Sequence, residues 1–499
     1  MNDLTFASAH RLAQMIRDRA VSSLEVVEAY LAEIDRLNPQ LNAICTLDGD
    51  RVRQRARQAD EALAQGERWG ALHGVPITVK DVFETAGLRT TAGSAALRDY
   101  VPHQDATAVS RLRAAGAIIL GKTSPGDLAG GYQGLNAVFP RVNNPWNLDY
   151  TPGGTSSGGA AAVAAGLSPL DLCSDLGGSI RQPAHFCGLY GLKPTDHRVS
   201  PQGHIPEEPD APHCIRQMLT VGSLARAVED LALCLQIIAG PDSARPHIPP
   251  VPLDVPSDQA LTSRRIAWID EWPLYPVDPE IKLAIQSAAG KLTAAGVAVE
   301  QWMPNFDFGA AWRTYYRLVA YILLYAQSRT VAEVTKTLAF LWRDAAQGDR
   351  HFRQLGTPAG LGLPISANPS LKGYFETLTE RDRFVAHMDG ELAQWDAWLC
   401  PVAMTPAFTH RKRGEAVPIN HHCVPYSMAS GAYVEPFNLT GHPVVVIPIG
   451  QTQSGLPIGL QVVGKRWRDM DLLAIAKDLD DIIGDLQRPP EREPAAAAV

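Results

Sequence analysis

Gly74-Val75-Pro76-Ile77-Thr78-Val79-Lys80 is the stretch from which the fold follows. It is a short apolar run ending in a lysine. A predicted helix from Asp105 to Ala115 comes after it, and then a second apolar run, Ala117-Ile118-Ile119-Leu120. Short strands alternating with helices of small residues predict an α/β core, a sheet covered by helices. Upstream, residues 1–65 read as a helical layer, with a capping box at Ser22-Ser23-Leu24-Glu25. Downstream, a predicted helix from Ser223 to Ala239 stops at Gly240, and a Pro-rich linker from Pro241 to Pro256 leads to a strand at Ile266-Ala267-Trp268-Ile269. Residues 278–396 read as mostly helical and rich in aromatics such as Trp312, Tyr315 and Tyr316, most of them core and one or two lining a pocket. Strands return at Trp398-Leu399-Cys400, Val444 to Ile447 and Gly459 to Val463, before a last helix from Asp469 to Leu479. One sheet completed by both halves of the chain follows from this, with 278–396 inserted over one face. The expected division is 1–65, a main domain 66–485, and a Pro- and Ala-rich disordered tail 486–499.

With 499 residues and 45% hydrophobic content, the chain can bury a large core. A net charge of −8 provides no overall basic footprint, so a small, weakly charged or neutral partner is expected, with no nucleic acid and no membrane. The seven cysteines lack CxxC spacing, which suggests neither a disulfide framework nor a zinc ribbon. His421-His422-Cys423 has no partners at metal spacing, so neither a metal nor a cofactor is expected. The start has no apolar signal region and no run reaches bilayer length, so a cytoplasmic location is expected; a homodimer is compatible with all of this.

Two familiar strings match without their context. Gly116-Ala117-Ile118-Ile119-Leu120-Gly121-Lys122-Thr123 fits GxxxxGKT, but its variable positions are an apolar strand with a helix before it, the reverse of a P-loop. Lys122 is better placed at a strand end. Gly154-Thr155-Ser156-Ser157-Gly158 fits the GxSxG nucleophile elbow, yet a polar, proline-bounded loop precedes it instead of a strand. The segment Asp175-Leu176-Gly177-Gly178-Ser179-Ile180-Arg181 is more informative. Leu176, Gly177, Gly178 and Ser179 offer successive backbone N–H groups beside a hydroxyl, suited to an oxyanion, while a plain tight turn with an Arg181–Asp175 pair is the structural alternative. Lys80 leaves a sheet interior, where a lysine either loses its charge or finds a carboxylate, and alternation turns Asp81 away from it. His185 and His197 stand near Ser179 in sequence, but no motif places them.

Gly74 to Lys80, Gly153 to Gly158, and Asp175 to Ala184 together resemble, in order and spacing, the core of the amidase signature hydrolases. The resemblance runs on through Gly121-Lys122-Thr123, Asn144-Pro145-Trp146, Gly191-Leu192-Lys193-Pro194, Val228-Glu229-Asp230, Phe437-Asn438-Leu439-Thr440-Gly441 and Gly455 to Gln461, nearly the whole chain. It implies an α/β/α fold with a mixed, twisted central sheet covered by helices. It also implies a Ser–cisSer–Lys amidase acting on a small-molecule amide, and on esters too: Ser179 as acyl nucleophile, residue 155 as hydroxyl relay, Lys80 as base. Leu176, Gly177 and Gly178 would form the oxyanion hole with Ser179, Ser156 would add a hydrogen bond, and Asp175 and Arg181 would hold the loop. Ala129, Gly130 and Gly131 fall where the family lines its acyl pocket, which implies room for a bulky or aromatic acyl group. The chain departs from the family at Thr155, a serine elsewhere; the hydroxyl is kept, and an added methyl restricts it. Two other readings stand beside the hydrolase: the amidase component of a tRNA-dependent amidotransferase, and a non-catalytic binding protein with the same fold.

Overall fold

The computed structural model describes residues 2–126, 131–205, 213–273, 275–327, 370–412 and 414–493. Its main strands are β1 Ile44–Leu47, β2 Pro76–Lys80, β3 Ile118–Thr123, β4 Leu170–Asp175, β5 Tyr190–Lys193, β6 Thr220–Ala225, β7 Arg265–Trp268, β8 Ala298–Gln301 and β9 Ala397–Pro401. A separate hairpin pairs β10 Val417–Ile419 with β11 His422–Val424, and β12 Val444–Gln451 and β13 Pro457–Val463 follow. All but the hairpin join one eleven-stranded mixed sheet, in the order β1-β3-β2-β4-β6-β5-β12-β13-β9-β7-β8.

β2 runs parallel to both β3 and β4, which explains why it reads as an unbroken apolar run: strands cover both its edges and all five of its residues are buried. The chain halves meet where β12 pairs antiparallel with β5, through Val444 opposite Lys193 and Val446 opposite Gly191. The C-terminal strands thus complete the sheet begun by the N-terminal ones, as the strand pattern predicts.

Three boundaries differ from the sequence reading. Ser223 is a strand residue, because Thr220–Ala225 is bracketed by β4 and β5 and its backbone groups are used by the ladders; the helix begins only at Val228 and ends at Ile238. The first 65 residues are not purely helical, since β1 joins the sheet antiparallel to β3 between helices Ser23–Leu41 and Gly49–Ala64. Within 278–396, helices Pro279–Ala294, Phe308–Gln327 and Leu371–Leu392 are interrupted by β8, an edge strand beside β7; 328–369 lie outside the described residues. Of the tail, 486–493 form no helix or strand and lie against the first half of the chain, where Arg36 Nη1 donates to the Arg492 carbonyl at 2.6 Å. Residues 494–499 lie outside the described residues.

The capping box forms as its sequence predicts, with Glu25 N donating to Ser22 Oγ and Ser22 N to Glu25 Oε2. Helix Ser157–Ala164 is buried throughout, and its small residues are a packing requirement: a Cβ at Gly158 would lie 2.3 Å from Ser124 N, and one at Gly159 would lie 2.1 Å from Asp171 Oδ2. No helix among the described residues is long and apolar enough to cross a membrane.

Lys122 lies inside β3, completely buried. Its Nζ donates to the Phe83 carbonyl at 2.5 Å and to Thr85 Oγ1 and Thr90 Oγ1 at 3.0 Å, and it faces Asp81 Oδ1 at 3.6 Å. Asp81 in turn accepts from Thr91 N and Thr91 Oγ1. This amine holds the segment after β2 in place and has no freedom to meet a phosphate. Lys122→Met strands the buried Asp81 carboxylate and should cost about 3–5 kcal/mol; a urea unfolding midpoint unchanged from the parent protein would refute this.

Candidate active site

β2 and β4 lie side by side and end at the same edge of the sheet, which brings the loop after β4 to the lysine that closes β2. Lys80 is fully buried, and its Nζ reaches Thr155 Oγ1 at 2.6 Å and Ser174 Oγ at 3.3 Å. Burial draws its pKa down from the usual lysine range to about 8, against the opposing pull of Cys173, Asp171 and Asp175. Asp81 points the other way, to Lys122, as strand alternation requires.

Thr155 follows a cis peptide bond from Gly154. Gly154 has no room for a side chain, since a Cβ would lie 2.5 Å from the Gly131 carbonyl oxygen and 2.7 Å from Tyr132 Cα; Gly131 is thereby placed beside the Thr155 loop. Gly130 and Ala129 lie outside the described residues. Ser156 N donates to the Ser179 carbonyl at 3.3 Å, stitching this loop to the one carrying Ser179. The Ser179 hydroxyl makes no hydrogen bond among the described residues.

Asp175 shapes the Ser179 loop. Its carboxylate accepts from Gly178 N at 2.8 Å, Ile180 N at 3.1 Å and Arg181 N at 3.4 Å, from Arg181 Nε and Nη2, and from Asn438 Nδ2 at 2.8 Å. Burial alone would raise its pKa, but the Arg181 guanidinium and the Asn438 amide hold it well below the carboxylate range. Gly178 is therefore a correction to the expected oxyanion hole: its N–H is engaged by Asp175. The N–H groups of Leu176, Gly177 and Ser179 have no hydrogen-bond partner among the described residues. A Cβ at Gly177 would lie 2.4 Å from Tyr315 Oη, so a side chain there would displace that hydroxyl from the Leu176 carbonyl to which it donates.

Several neighbours carried no sequence signal. Tyr132 Oη and Tyr316 Oη both donate to Glu435 Oε1, at 3.0 and 3.2 Å, forming a tyrosine and carboxylate group near the Gly177 loop. Tyr315 and Tyr316 belong to the aromatic-rich stretch, but only packing selects them from it. Ser174 and His204 were equally unmarked. The two histidines close to Ser179 in sequence are engaged elsewhere: His185 with Gly459 N and the Thr405 carbonyl, its pKa pushed down by burial to about 4, and His197 with the Arg216 carbonyl. Ser156 has no strand before it, so the elbow geometry is absent there. Among the described residues no three His, Cys, Asp or Glu side chains gather as metal ligands.

Residues 25–473 match the family model described as Amidase. The chain belongs to the amidase family. It is an amide hydrolase acting on a carbon–nitrogen bond, in the α/β/α amidase signature fold. A curated relative, a glutamyl-tRNA(Gln) amidotransferase subunit from Symbiobacterium thermophilum, is 35% identical over 94% of this chain and 95% of its own length. A solved chain from a vestigial protein complex, described for the evolutionary origins of an s-triazine catabolic enzyme, is 28% identical with a TM-score of 0.76, covering 96% of this chain and 100% of that one. A bacterial aryl acylamidase of the amidase signature family is 26% identical with a TM-score of 0.77, covering 96% of each chain. The curated relative's name includes a tRNA and describes one member of an assembly, and on that ground the expectation of no nucleic-acid partner is withdrawn; net charge alone does not decide it.

Asp175→Asn keeps the volume of the side chain but leaves Arg181 as an unpaired buried cation. We expect a loss of about 3–5 kcal/mol. The depressed pKa places the stabilisation by Asp175 above the ordinary carboxylate range, so in the parent protein it is lost as pH falls below that range, and the variant should lack this component of acid unfolding. Identical acid-unfolding curves for the two proteins would contradict it.

Proposed function

We propose that this amidase hydrolyses a carboxylic acid amide through a seryl acyl-enzyme, with Ser179 as nucleophile, Thr155 as relay and Lys80 as base. The observation that carries this is the 2.6 Å contact between Lys80 Nζ and Thr155 Oγ1 in a site dry enough to bring the lysine to about 8. The uncharged amine is the form that can accept a proton, and burial brings that form within reach near pH 8. Lys80 takes the proton of Thr155 while Thr155 takes that of Ser179, and Ser179 Oγ bonds to the carbonyl carbon. The oxyanion is met by the N–H groups of Gly177 and Ser179, with that of Leu176 beside them. On collapse the carbon–nitrogen bond breaks and the proton returns through Thr155 to the leaving nitrogen. Water then attacks the ester with the same relay, releasing the acid and restoring Ser179. The contact from Thr155 to Ser179 closes with substrate, as such bonds often tighten only in the complex.

The acyl side takes a bulky or aromatic group in this reading. Gly131 packs against Gly154 without a side chain of its own, Tyr132 and Tyr315 border the loop at Gly177, and one structural neighbour is an aryl acylamidase. A cytoplasmic location is part of the proposal, supported by seven cysteines of which no two form a disulfide.

A second reading, the amidase component of a tRNA-dependent amidotransferase, is favoured by the name of the curated relatives. Co-purification of a partner, with amidase activity confined to glutamine, would select it over the free-standing hydrolase.

Ser179→Ala should abolish hydrolysis and labelling by a fluorophosphonate, a loss of roughly 10⁴-fold or more; surviving label, or its loss in Ser156→Ala instead, would refute the assignment. Because Lys80 must be neutral, kcat/KM should climb as pH rises through about 8, and a rate falling across that range would contradict Lys80 as base. Thr155→Val should lose about 10²- to 10⁴-fold while Thr155→Ser stays active; an active Thr155→Val removes the relay. Turnover of short aliphatic amides with none of any aryl amide would refute the acyl-side assignment.

A further inference from the structure

His204 belongs to no motif, yet its imidazole is the group beyond Lys80 in a buried hydrogen-bonded chain. Its Nε2 lies 2.8 Å from Ser174 Oγ, and the same Oγ lies 3.3 Å from Lys80 Nζ, whose other partner is Thr155. The backbone places this ring. Glu84 N donates to the Gly203 carbonyl and Ile205 N to that of Val82, so residues 203–205 run beside the segment that follows Lys80. Gly203 has φ +78°, and a Cβ there would lie 2.6 Å from Ala106 Cα, so this close approach requires glycine. The ring of Phe83 meets the imidazole edge to face at 5.1 Å. Burial first, and then the charge of Lys80, push the histidine down to about 3, so it is a neutral ring with one N–H and one acceptor nitrogen.

Building on the reading of Lys80 as base, we propose that His204 is a positioning residue: it accepts the Ser174 hydroxyl hydrogen and so keeps the Lys80 lone pair aimed at Thr155. Hydrogen accounting carries the inference. A neutral Lys80 amine has two N–H groups and one lone pair, and both of its partners are hydroxyls that can donate or accept. If Ser174 turned its hydrogen to Nζ, the lone pair would be filled and Thr155 could no longer deliver a proton. With that hydrogen on His204 Nε2, Ser174 can only accept from Nζ. The arrangement also survives the reaction: a protonated Lys80 has three N–H groups, and Ser174 still accepts one of them. The branch carries no proton itself and needs no rearrangement when the relay does. Nδ1 has no hydrogen-bond partner among the described residues, so nothing there competes for it; we place the ring proton on Nδ1, toward the residue's own backbone, which leaves Nε2 to accept from Ser174.

The charged and titratable groups around this branch are Asp171, Cys173 and Asp175 from β4, which face Lys80, and Arg245, which acts on His204. All are retained in the variants that test it. The rate of fluorophosphonate labelling of Ser179 is followed across the pH range around 8, so no natural substrate is needed. His204→Phe keeps water out but accepts no hydrogen bond; it should label roughly 10- to 100-fold more slowly on the plateau. Its rising limb should move to lower pH, since a hydroxyl hydrogen on the lone pair stabilises the neutral amine. His204→Gln, which offers an amide oxygen near the Nε2 position, should recover both rate and limb, and His204→Met carries the same expectation as Phe should Phe prevent folding. Adding His204→Phe to Ser174→Ala should slow labelling no further, because the two act as one unit.

A wild-type rate and limb in His204→Phe would overturn the proposal. So would a limb displaced to higher pH, the signature of water reaching Lys80, or a His204→Gln variant as slow as His204→Phe. Failure of the parent reading looks different: wild-type protein that takes no label, or labelling indifferent to Lys80→Ala, removes the base and its positioning residue together.

Discussion

The carboxylate of Asp175 is the interaction on which the rest of the site depends. It stands at the end of β4, and six donors converge on it from the backbone of Gly178, Ile180 and Arg181, the Arg181 guanidinium, and Asn438. Arg181 extends the reach of this knot through its bonds to the Val434 carbonyl and Gln461 Oε1. One buried ion pair therefore sets the curvature of the Ser179 loop and fastens the two halves of the chain at the point where chemistry is expected. Such a pair contributes modestly to net stability, because desolvation offsets attraction. What it secures is geometry, with most of the loop's polar groups committed to one arrangement.

Around that knot the sheet acts as a rigid frame. β2 and β4 deliver Lys80 and the Asp175 loop to the same edge, while the buried helix Ser157–Ala164, stripped of bulk at Gly158 and Gly159, allows the Thr155 loop to close down on them. Two of the buried lysines show how neighbours decide what an amine does. Lys122 faces a carboxylate and a carbonyl and is committed to structure; Lys80 meets two hydroxyls, and burial draws its pKa down to about 8. Both lie fully buried in neighbouring strands of the same sheet, and their partners distinguish them.

The sheet was largely legible in the chain because its strands are short, apolar and punctuated by helices, a pattern that survives in one dimension. Errors fell where a local pattern met a long-range demand. Ser223 looked helical until β4 and β5 claimed its backbone on either side, and β1 hid between helices because a four-residue edge strand has little periodicity of its own. At the site, Lys80, Thr155 and Ser179 lie in marked segments, and the structure brings Lys80 and Thr155 into contact and stitches the Thr155 loop to the Ser179 loop. Gly178 was misplaced for a physical reason. A glycine-rich row advertises N–H groups, but it does not say which are left over once a neighbouring carboxylate has taken its share.

The sequence by itself determined the chemical inventory: a lysine leaving a sheet interior, two hydroxyl-bearing loops, a row of backbone donors, and an acid–base pair flanking that row. These are covalent facts, or follow from spacing along one strand or turn. Only the tertiary structure decided which donors remain available, how dry Lys80 is, and that Ser174, His204, Tyr132, Tyr315 and Glu435 gather around the site from distant parts of the chain. Desolvation and hydrogen-bond partnership depend on everything packed nearby, and residues some hundreds of positions apart leave no local trace of their meeting.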